Sequence, residues 1–247
     1  MPVVMATNRT GGTVGRKTAR DRVAPPLRST AAFTLIDLLV SLAIIGVLIG
    51  LLLPTLSGVR EATRKVVCTS NIRQHGLGLA MFADDNQGQF PASAYLPKGT
   101  ARSDPQNTNV ARLDSNAWDG LGILFDKEYL HAPQVYYCPS HHGQNPMAGH
   151  VGDWSADLGK IVMNYQYRGD EISAAQLLGR AFVTDGLATK EDFNHTVGAN
   201  VLRLDYSVGW VPDVGGRILS ELPDPNDAPV QAAPKVLQIW TRLDASR

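Results

Sequence analysis

The longest apolar segment of the chain covers residues 33–53. In these 21 residues, only Thr34, Asp37, Ser41, Gly46 and Gly50 interrupt the aliphatic and aromatic side chains. A helix of this length is about 31 Å long at 1.5 Å per residue, which matches a hydrocarbon core of about 30 Å. The pattern therefore predicts one membrane-spanning helix that carries a carboxylate near its start.

Beyond Pro54 the apolar positions recur at steps of three or four, as in an amphipathic helix. Many residues of the predicted stripe are small. The stripe consists of Leu56, Val59, Ala62, Val66, Thr69, Ile72, Gly76, Leu79 and Ala83. Charged residues take the other faces, and Glu61 and Lys65 have the spacing of an i,i+4 ion pair. We expect one helix over residues 33–83, kinked at Pro54, with turn-forming residues 84–91 ending it.

Strand patterns occur in the second half of the chain. Residues 181–184, 201–204 and 207–211 read as strands, with a tight turn at Asp205 and Tyr206 between the last two. Residues 118–139 predict a short helix and then a strand that ends at Cys138. Residues 212–247 are rich in Pro and Asp and predict an irregular segment, to which the final KVLQIWTRLD adds a strand or short helix. The fold class expected is α+β.

The charges are unevenly distributed. The chain has 23 basic and 23 acidic residues, but residues 1–32 hold six basic residues and one acidic residue. The remainder, with 17 basic and 22 acidic residues, is net acidic, which argues against nucleic acid as a partner. The basic leader has no hydrophobic period, and it predicts a cytoplasmic N-terminus with the C-terminal domain exported.

Simpler interpretations of the apolar run are a secretory signal peptide, a lipoprotein signal or an uncleaved signal anchor. The run is longer than the 7–15 residues of a signal-peptide core. A lipoprotein signal needs a small residue before its cysteine, but Cys68 follows two valines. An uncleaved anchor would leave Asp37 unexplained.

The sequence AAFTLIDLLVSLAIIGVLIGLLLP resembles the N-terminal cleavage and methylation motif of type IV pilins and type II secretion pseudopilins. The resemblance implies that prepilin peptidase cuts after Ala32 and that the new amine of Phe33 is methylated. Asp37 takes the place of the family's glutamate, and Pro54 that of a proline frequent in the family. Ala32 departs from the usual glycine, and Asp37 from the usual glutamate.

This resemblance implies a pilin-like fold in which a long N-terminal transmembrane helix packs on an exported, mostly antiparallel β-sheet domain. The parts would be a leader (1–32), the transmembrane half of the helix (33–53), the exported domain (54–211) and a Pro-rich segment (212–247). The implied function is a pseudopilin or minor pilin subunit in the bacterial inner membrane, with its domain in the periplasm or in a fibre. Its partners would be prepilin peptidase, membrane lipid and other pilin-like subunits, whose Phe33 amine would pair with Asp37.

A second resemblance concerns HTVGANVLRLDY, which is similar to the His-x9-Asp-Gly domain at the C-terminal end of many prepilin-like proteins. His195 and Asp205 match that spacing, while Tyr206 replaces the expected glycine. We expect Asp185, His195 and Asp205 to form a structural polar cluster in which His195 hydrogen-bonds a carboxylate. The alternative is an exposed histidine in a polar loop.

Two cysteines, Cys68 and Cys138, fall in the exported part and can form a disulfide in an oxidising compartment; two buried thiols are the alternative. Cys138 also begins a loop with His141, His142 and His150, but their spacing fits no standard zinc motif. We expect no metal and no cofactor. Since the usual catalytic motifs are missing from the sequence, we expect no enzyme; a membrane-anchored binding module or, less favoured, an anchored hydrolase are the alternatives.

Overall fold

The computed structural model describes residues 33–95, 104–156, 159–168 and 179–246. The leader predicted for residues 1–32, including Ala32, lies outside the described residues. Contacts divide the chain into two units, Met1–Ile49 and Gly50–Arg247. The described part of the first unit is Phe33, Thr34 and the beginning of helix α1, and the second unit holds the remainder of that helix and the sheets described below.

Helix α1 spans Leu35–Asp85, 51 residues without a break. Its start and end lie within two residues of the predicted limits. At the C-terminal end Gly88, with a φ of +77°, donates its N–H to the Ala83 carbonyl at 2.8 Å, which satisfies a carbonyl that the last turn leaves open. The helix continues through Pro54, so the proline does not interrupt it, and the kink stays a prediction.

Within the described residues, six short strands form two antiparallel sheets. Strands β1 (Val110–Arg112) and β2 (Ile161–Val162) pair with each other. The larger sheet has the order β3 (Tyr165–Tyr167), β4 (Ala181–Asp185), β5 (Gly198–Arg203) and β6 (Val208–Pro212). The three predicted strands thus correspond to β4, β5 and β6, and the predicted turn joins the last two. The structure is therefore α+β, with an apolar N-terminal helix and antiparallel sheets.

The large sheet is covered on both faces, which explains why β4 is buried along its whole length. One face packs with the second half of α1, where Ile72 and Leu79 are fully buried and Gly76 lies against Leu202 of β5. The other cluster contains the C-terminal helices and the β5 residue Val201. Successive side chains of a strand point to opposite faces of the sheet, so Val201 and Leu202 of β5 belong to different clusters.

The strand predicted to end at Cys138 does not form. Residues 118–139 instead contain helix α2 (Gly122–Asp126) and a 3-10 helix at Pro133–Tyr136. Proline has no N–H for a strand ladder and suits the first position of a helical turn. The apolar residues that suggested a strand are buried all the same, since Tyr136 and Tyr137 both lie in the core.

The segment after Pro212 is helical and packed, and the prediction of an irregular segment is wrong. It forms a 3-10 turn at Val214–Gly216, helix α4 (Arg217–Glu221) and helix α5 (Pro229–Ala245). Helix α3 (Met147–His150) is a short helix earlier in the chain. The physical reason is an apolar stripe along α5 that packs in the second core cluster, formed by Ala232, Val236, Ile239, Trp240 and Leu243. Pro229 is at the first turn of α5, where a missing N–H costs little.

Candidate functional site

The first part of α1 presents apolar side chains on all sides. Among the described residues, the helical stretch Leu35–Leu53 is long and apolar enough to cross a membrane, and none of it is buried by the rest of the chain. Phe33 is 77% exposed and Ile45 51% exposed. Soluble proteins rarely expose a contiguous apolar surface of this size. A single membrane anchor or a signal sequence accounts for such a helix.

Asp37 takes part in a capping box at the start of this helix. Its Oδ2 accepts hydrogen bonds from the Thr34 backbone N–H (3.1 Å) and hydroxyl (2.7 Å), while the Thr34 hydroxyl accepts from the Asp37 N–H (3.2 Å). Reciprocal bonds of this kind satisfy two N–H groups that have no partner within the helix. The carboxylate therefore has a role inside its own chain, which the sequence analysis missed although the Thr-x-x-Asp spacing was visible.

The disulfide that the sequence suggested is present between Cys68 of α1 and Cys138, whose Cα atoms are 5.4 Å apart. Both residues are buried. The bond ties the second half of α1 to the loop that follows the 3-10 helix at Pro133–Tyr136. The two cysteines are 70 positions apart in the sequence, so the bond strongly restricts the conformations of the unfolded chain.

His195 lies beside this disulfide and between two carboxylates. Its Nε2 is 3.7 Å from Cys138 Sγ and 3.2 Å from Asp185 Oδ2, and its Nδ1 is 2.6 Å from Glu61 Oε1. The His195 and Asp185 side chains are each 1% exposed, whereas Glu61 is 42% exposed. The histidine is therefore buried and bonded to carboxylates, and the alternative of an exposed loop histidine is wrong.

Asp185, at the end of β4, is held in position by Asn200 of β5. Its Oδ1 accepts from the Asn200 backbone N–H at 2.9 Å, and its Oδ2 accepts from the Asn200 side-chain amide at 2.7 Å. Thr69 of α1 donates its hydroxyl to Asn200 Oδ1 at 2.8 Å. A continuous polar network thus connects the helix to the two central strands.

These contacts determine the charge state of the site. Burial alone lowers the pKa of His195, but hydrogen bonds to Asp185 and Glu61 and the charges of both carboxylates outweigh it and raise the pKa. Both ring nitrogens face carboxylate oxygens, and only the imidazolium can donate to both. His195 is therefore favoured in its charged form.

Asp205 is not part of this cluster, contrary to the expectation from the sequence. It lies in the β5–β6 turn, where its carboxylate accepts bonds from the Ser207 N–H (3.0 Å) and hydroxyl (2.6 Å). Tyr206, at the position where the resembling domain has glycine, adopts a φ of +62°. A glycine would adopt that conformation without strain, so Tyr206 occupies a turn position that favours glycine.

The loop histidines that follow Cys138 also have separate partners. His141 Nδ1 is 2.7 Å from Asn194 Oδ1, His142 Nδ1 is 3.2 Å from the Ser140 carbonyl, and His150 Nδ1 is 3.1 Å from Asp153. The sequence cluster around Cys138 is therefore not one site. A different set lies close together: ligand atoms of Cys68, Cys138, Asp185 and His195 are within 4.8 Å of one another and all four residues are buried, with the two sulfurs joined in the disulfide.

Glu61 and Lys65 face the domain, whereas the sequence placed them on the outer face of α1. Glu61 binds His195 and accepts a bond from Ser140, and Lys65 Nζ lies 3.3 Å above the ring of Trp210. The surface of the domain is polar here, so charged helical residues match it better than apolar ones. Val59 and Val66, which the sequence placed in the apolar stripe, are 62% and 68% exposed.

Comparison with known proteins adds no family to this description. No protein-family model matches the chain, and no match is found among curated proteins or among solved structures. The sequence motif and the geometry of the described residues therefore carry what can be concluded about function.

Proposed function

We propose that the chain is a pilin-like structural subunit, a pseudopilin or minor pilin. Prepilin peptidase would cut it after Ala32, Phe33 would be methylated, and the product would assemble into a type II secretion or type IV pilus-like fibre. The observation that carries the proposal is α1, because one unbroken helix combines an unburied apolar stretch, Leu35–Leu53, with a second half that packs on an α+β domain. An apolar helix surface of this kind needs lipid before assembly and neighbouring helices afterwards.

The proposed location is the bacterial inner membrane. The net charge of +5 in residues 1–32 favours a cytoplasmic N-terminus, since positively charged flanks stay inside. The unit Gly50–Arg247 would then be periplasmic, where the disulfide between Cys68 and Cys138 is compatible with an oxidising compartment. The partners would be the peptidase, membrane lipid and the helices of other subunits.

In this proposal Asp37 has a second role after cleavage. Its carboxylate would neutralise the new Phe33 amine of a neighbouring subunit within the fibre, where an unpaired charge is costly. Within the part of the chain that the structure describes, the capping-box bonds to the Asp37 carboxylate use Oδ2, which leaves Oδ1 for a second partner. A carboxylate can accept about four bonds, so the box and the pair are compatible.

A second candidate is a membrane-anchored exported module that does not polymerise. The capping box favours it, because the box gives Asp37 a sufficient reason to be present within a single chain. The two candidates differ in what happens when the box and the charge are removed separately.

The test compares Asp37→Asn, Asp37→Glu and Thr34→Val in the native host. Intact mass and N-terminal sequencing report cleavage and methylation, and cross-linking followed by shearing reports the polymer. The subunit proposal expects a mature chain that begins at Phe33, normal polymer in Thr34→Val and Asp37→Glu, and a clear loss of polymer in Asp37→Asn. Thr34→Val would cost only helix capping, about 0.5–2 kcal/mol. A chain that keeps its leader, or a mature chain that is never found in polymer, supports the anchored module instead.

A further inference from the structure

We propose that Cys68, Cys138, Asp185 and His195 bind one Zn²⁺ ion when the disulfide between the two cysteines is reduced. This site does not depend on the apolar stretch Leu35–Leu53 or on the proposed assembly, although the second half of α1 supplies Cys68. It differs from the cysteine–histidine loop that the sequence suggested, because only Cys138 belongs to both groups.

The donor set matches the chemistry of zinc. Two thiolates, one imidazole and one carboxylate are ligands that zinc accepts in a tetrahedral arrangement, with bonds of about 2.0–2.3 Å. Ligand atoms in such a site are separated by roughly 3.3–3.8 Å, as those bond lengths and the tetrahedral angle require. The four candidate atoms already lie within 4.8 Å of one another, so closing the site requires shifts of about an ångström. The sulfurs must move apart, since a disulfide bond of about 2.05 Å is shorter than that separation.

The surroundings of His195 match those of a zinc-bound histidine. Its Nδ1 faces Glu61 Oε1 at 2.6 Å, which leaves Nε2 directed towards Cys138 Sγ (3.7 Å) and Asp185 Oδ2 (3.2 Å). Histidines that bind zinc usually donate their other N–H to a carboxylate, which fixes the tautomer and the ring orientation. Glu61 is fixed in turn by the Ser140 hydroxyl, 2.9 Å from both of its oxygens.

The carboxylate ligand is supported in the same way. Asp185 accepts two hydrogen bonds from Asn200, one from the backbone and one from the side chain. Ligating carboxylates are commonly held by such bonds. Since β4 and β5 provide Asp185 and Asn200, this half of the site is built on paired strands and is formed before any metal arrives.

The disulfide must be reduced before the metal binds. A phosphine reductant attacks one sulfur of the disulfide, and water then gives two cysteine thiols and the phosphine oxide; the disulfide gains two electrons and two protons. Zn²⁺ displaces the two thiol protons and the proton on His195 Nε2. The sulfur, nitrogen and carboxylate donors then share the ion, and solvent takes up the protons.

The experiment uses the full chain in detergent micelles, reduced with a phosphine that is then removed. Co²⁺ serves as a spectroscopic probe, because thiolate ligands give near-ultraviolet charge-transfer bands and tetrahedral sites give intense visible bands. We expect one Co²⁺ per reduced chain, displaced by one Zn²⁺, and no such bands in the oxidised chain. Zn²⁺ should also restore any near-ultraviolet circular dichroism that reduction removes.

Variants distinguish this site from adventitious binding. The double variant Cys68→Ser/Cys138→Ser should abolish the charge-transfer bands, and His195→Ala should abolish the tetrahedral spectrum. Glu61→Gln should keep the spectrum but weaken affinity by about 10–100-fold, the usual effect of removing an outer-shell partner. His141→Ala changes another buried histidine of the same region and should leave binding unchanged.

Three results would overturn the proposal. They are a reduced chain that binds no Co²⁺, an unchanged spectrum in His195→Ala, and a reduced chain whose lost structure Zn²⁺ fails to restore.

Discussion

The two carboxylates on His195 differ in exposure, and this difference leads to a quantitative prediction. Asp185 is 1% exposed and accepts bonds from Asn200 as well as from His195. Glu61 is 42% exposed. We predict that Asp185→Asn destabilises the folded domain several times more than Glu61→Gln, although both changes remove one charge and keep the side-chain size.

The magnitude follows from burial. Removing one partner of a buried, hydrogen-bonded ion pair costs about 3–5 kcal/mol, because the other charge is left without compensation. Glu61 still neutralises part of the His195 charge in Asp185→Asn, so we expect the lower end, about 3 kcal/mol. An exposed pair is worth about 0.2–1 kcal/mol, and Glu61→Gln should cost about 1 kcal/mol.

The pH dependence of stability gives an independent readout. Burial lowers the pKa of His195, and the bonds and charges of Asp185 and Glu61 more than reverse this, so its pKa in the folded state lies above its ordinary value of 6.5. A group whose pKa is raised in the folded state contributes its full stabilisation of that state below about pH 6.5. This contribution is lost as the pH rises through the folded-state pKa. Stability should therefore decline above pH 6.5, and Asp185→Asn should flatten that decline more than Glu61→Gln.

The assay is urea unfolding of the full chain in detergent micelles, with the disulfide intact, between pH 6 and pH 9. Tryptophan fluorescence is a suitable signal because the Trp210 ring lies 5.6 Å from the His195 ring. Asp205→Asn is the matched control, since it makes the same change in an exposed turn outside the cluster. Equal costs for Asp185→Asn and Glu61→Gln, or a parent chain with no decline above pH 6.5, would refute the reasoning.

Three further predictions concern the core. Replacing Cys68 and Cys138 together by alanine should lower the free energy of unfolding by about 4 kcal/mol, the value that the chain-entropy model gives for a sequence separation of 70. The midpoint of urea unfolding tests this, and an unchanged midpoint would contradict it. Burial lowers the pKa of His75 to about 3, so the NMR chemical shifts of its ring nitrogens should be constant from pH 5 to 8. A titration midpoint near pH 6.5 would instead show that the His75 ring is accessible to solvent. Its lowered pKa also means that stability is lost as pH falls from 6.5 towards 3. A Cβ on Gly122 would overlap a backbone carbonyl of β1, so Gly122→Ala should lower the free energy of unfolding by about 3 kcal/mol. Gly209→Ala is the control, because the space around Gly209 is open. Similar melting temperatures for the two variants would argue against the overlap.

Local patterns were sufficient for elements whose signals lie within a short window. The limits of α1 follow from its apolar run and from the turn residues after Ala83, and strands β4 to β6 follow from short β-rich runs around a tight turn. Helix α5 was predicted only in part, as one of two alternatives for KVLQIWTRLD, because its prolines, Pro229 and Pro234, suggested a loop before that run. Its apolar positions nevertheless recur with helical spacing, so that signal was available.

The orientation of α1 on the domain could not be read from its own sequence. The predicted stripe assumed an apolar partner surface, and this holds around Ile72 and Leu79. Nearer the N-terminal end of the packed half of α1, the partner surface contains His195 and Trp210, which contact Glu61 and Lys65. The bond between Glu61 and His195 joins residues 134 positions apart, and no local pattern specifies such a pair.

The polar cluster also explains how the second half of α1, whose packed stripe has few large apolar side chains, is fixed in one position. Packing of small residues permits a helix to rotate or slide at modest cost, because few interlocking side chains oppose the movement. Residues 61–69 of α1, about two turns, instead hold directional contacts, through Glu61 to His195, Cys68 to Cys138 and Thr69 to Asn200. Each of these has one geometry in which it forms, and together they admit one rotation and one register. A reduced disulfide or a neutral His195 would therefore loosen the same stretch of α1, so redox state and pH should act on one structural element.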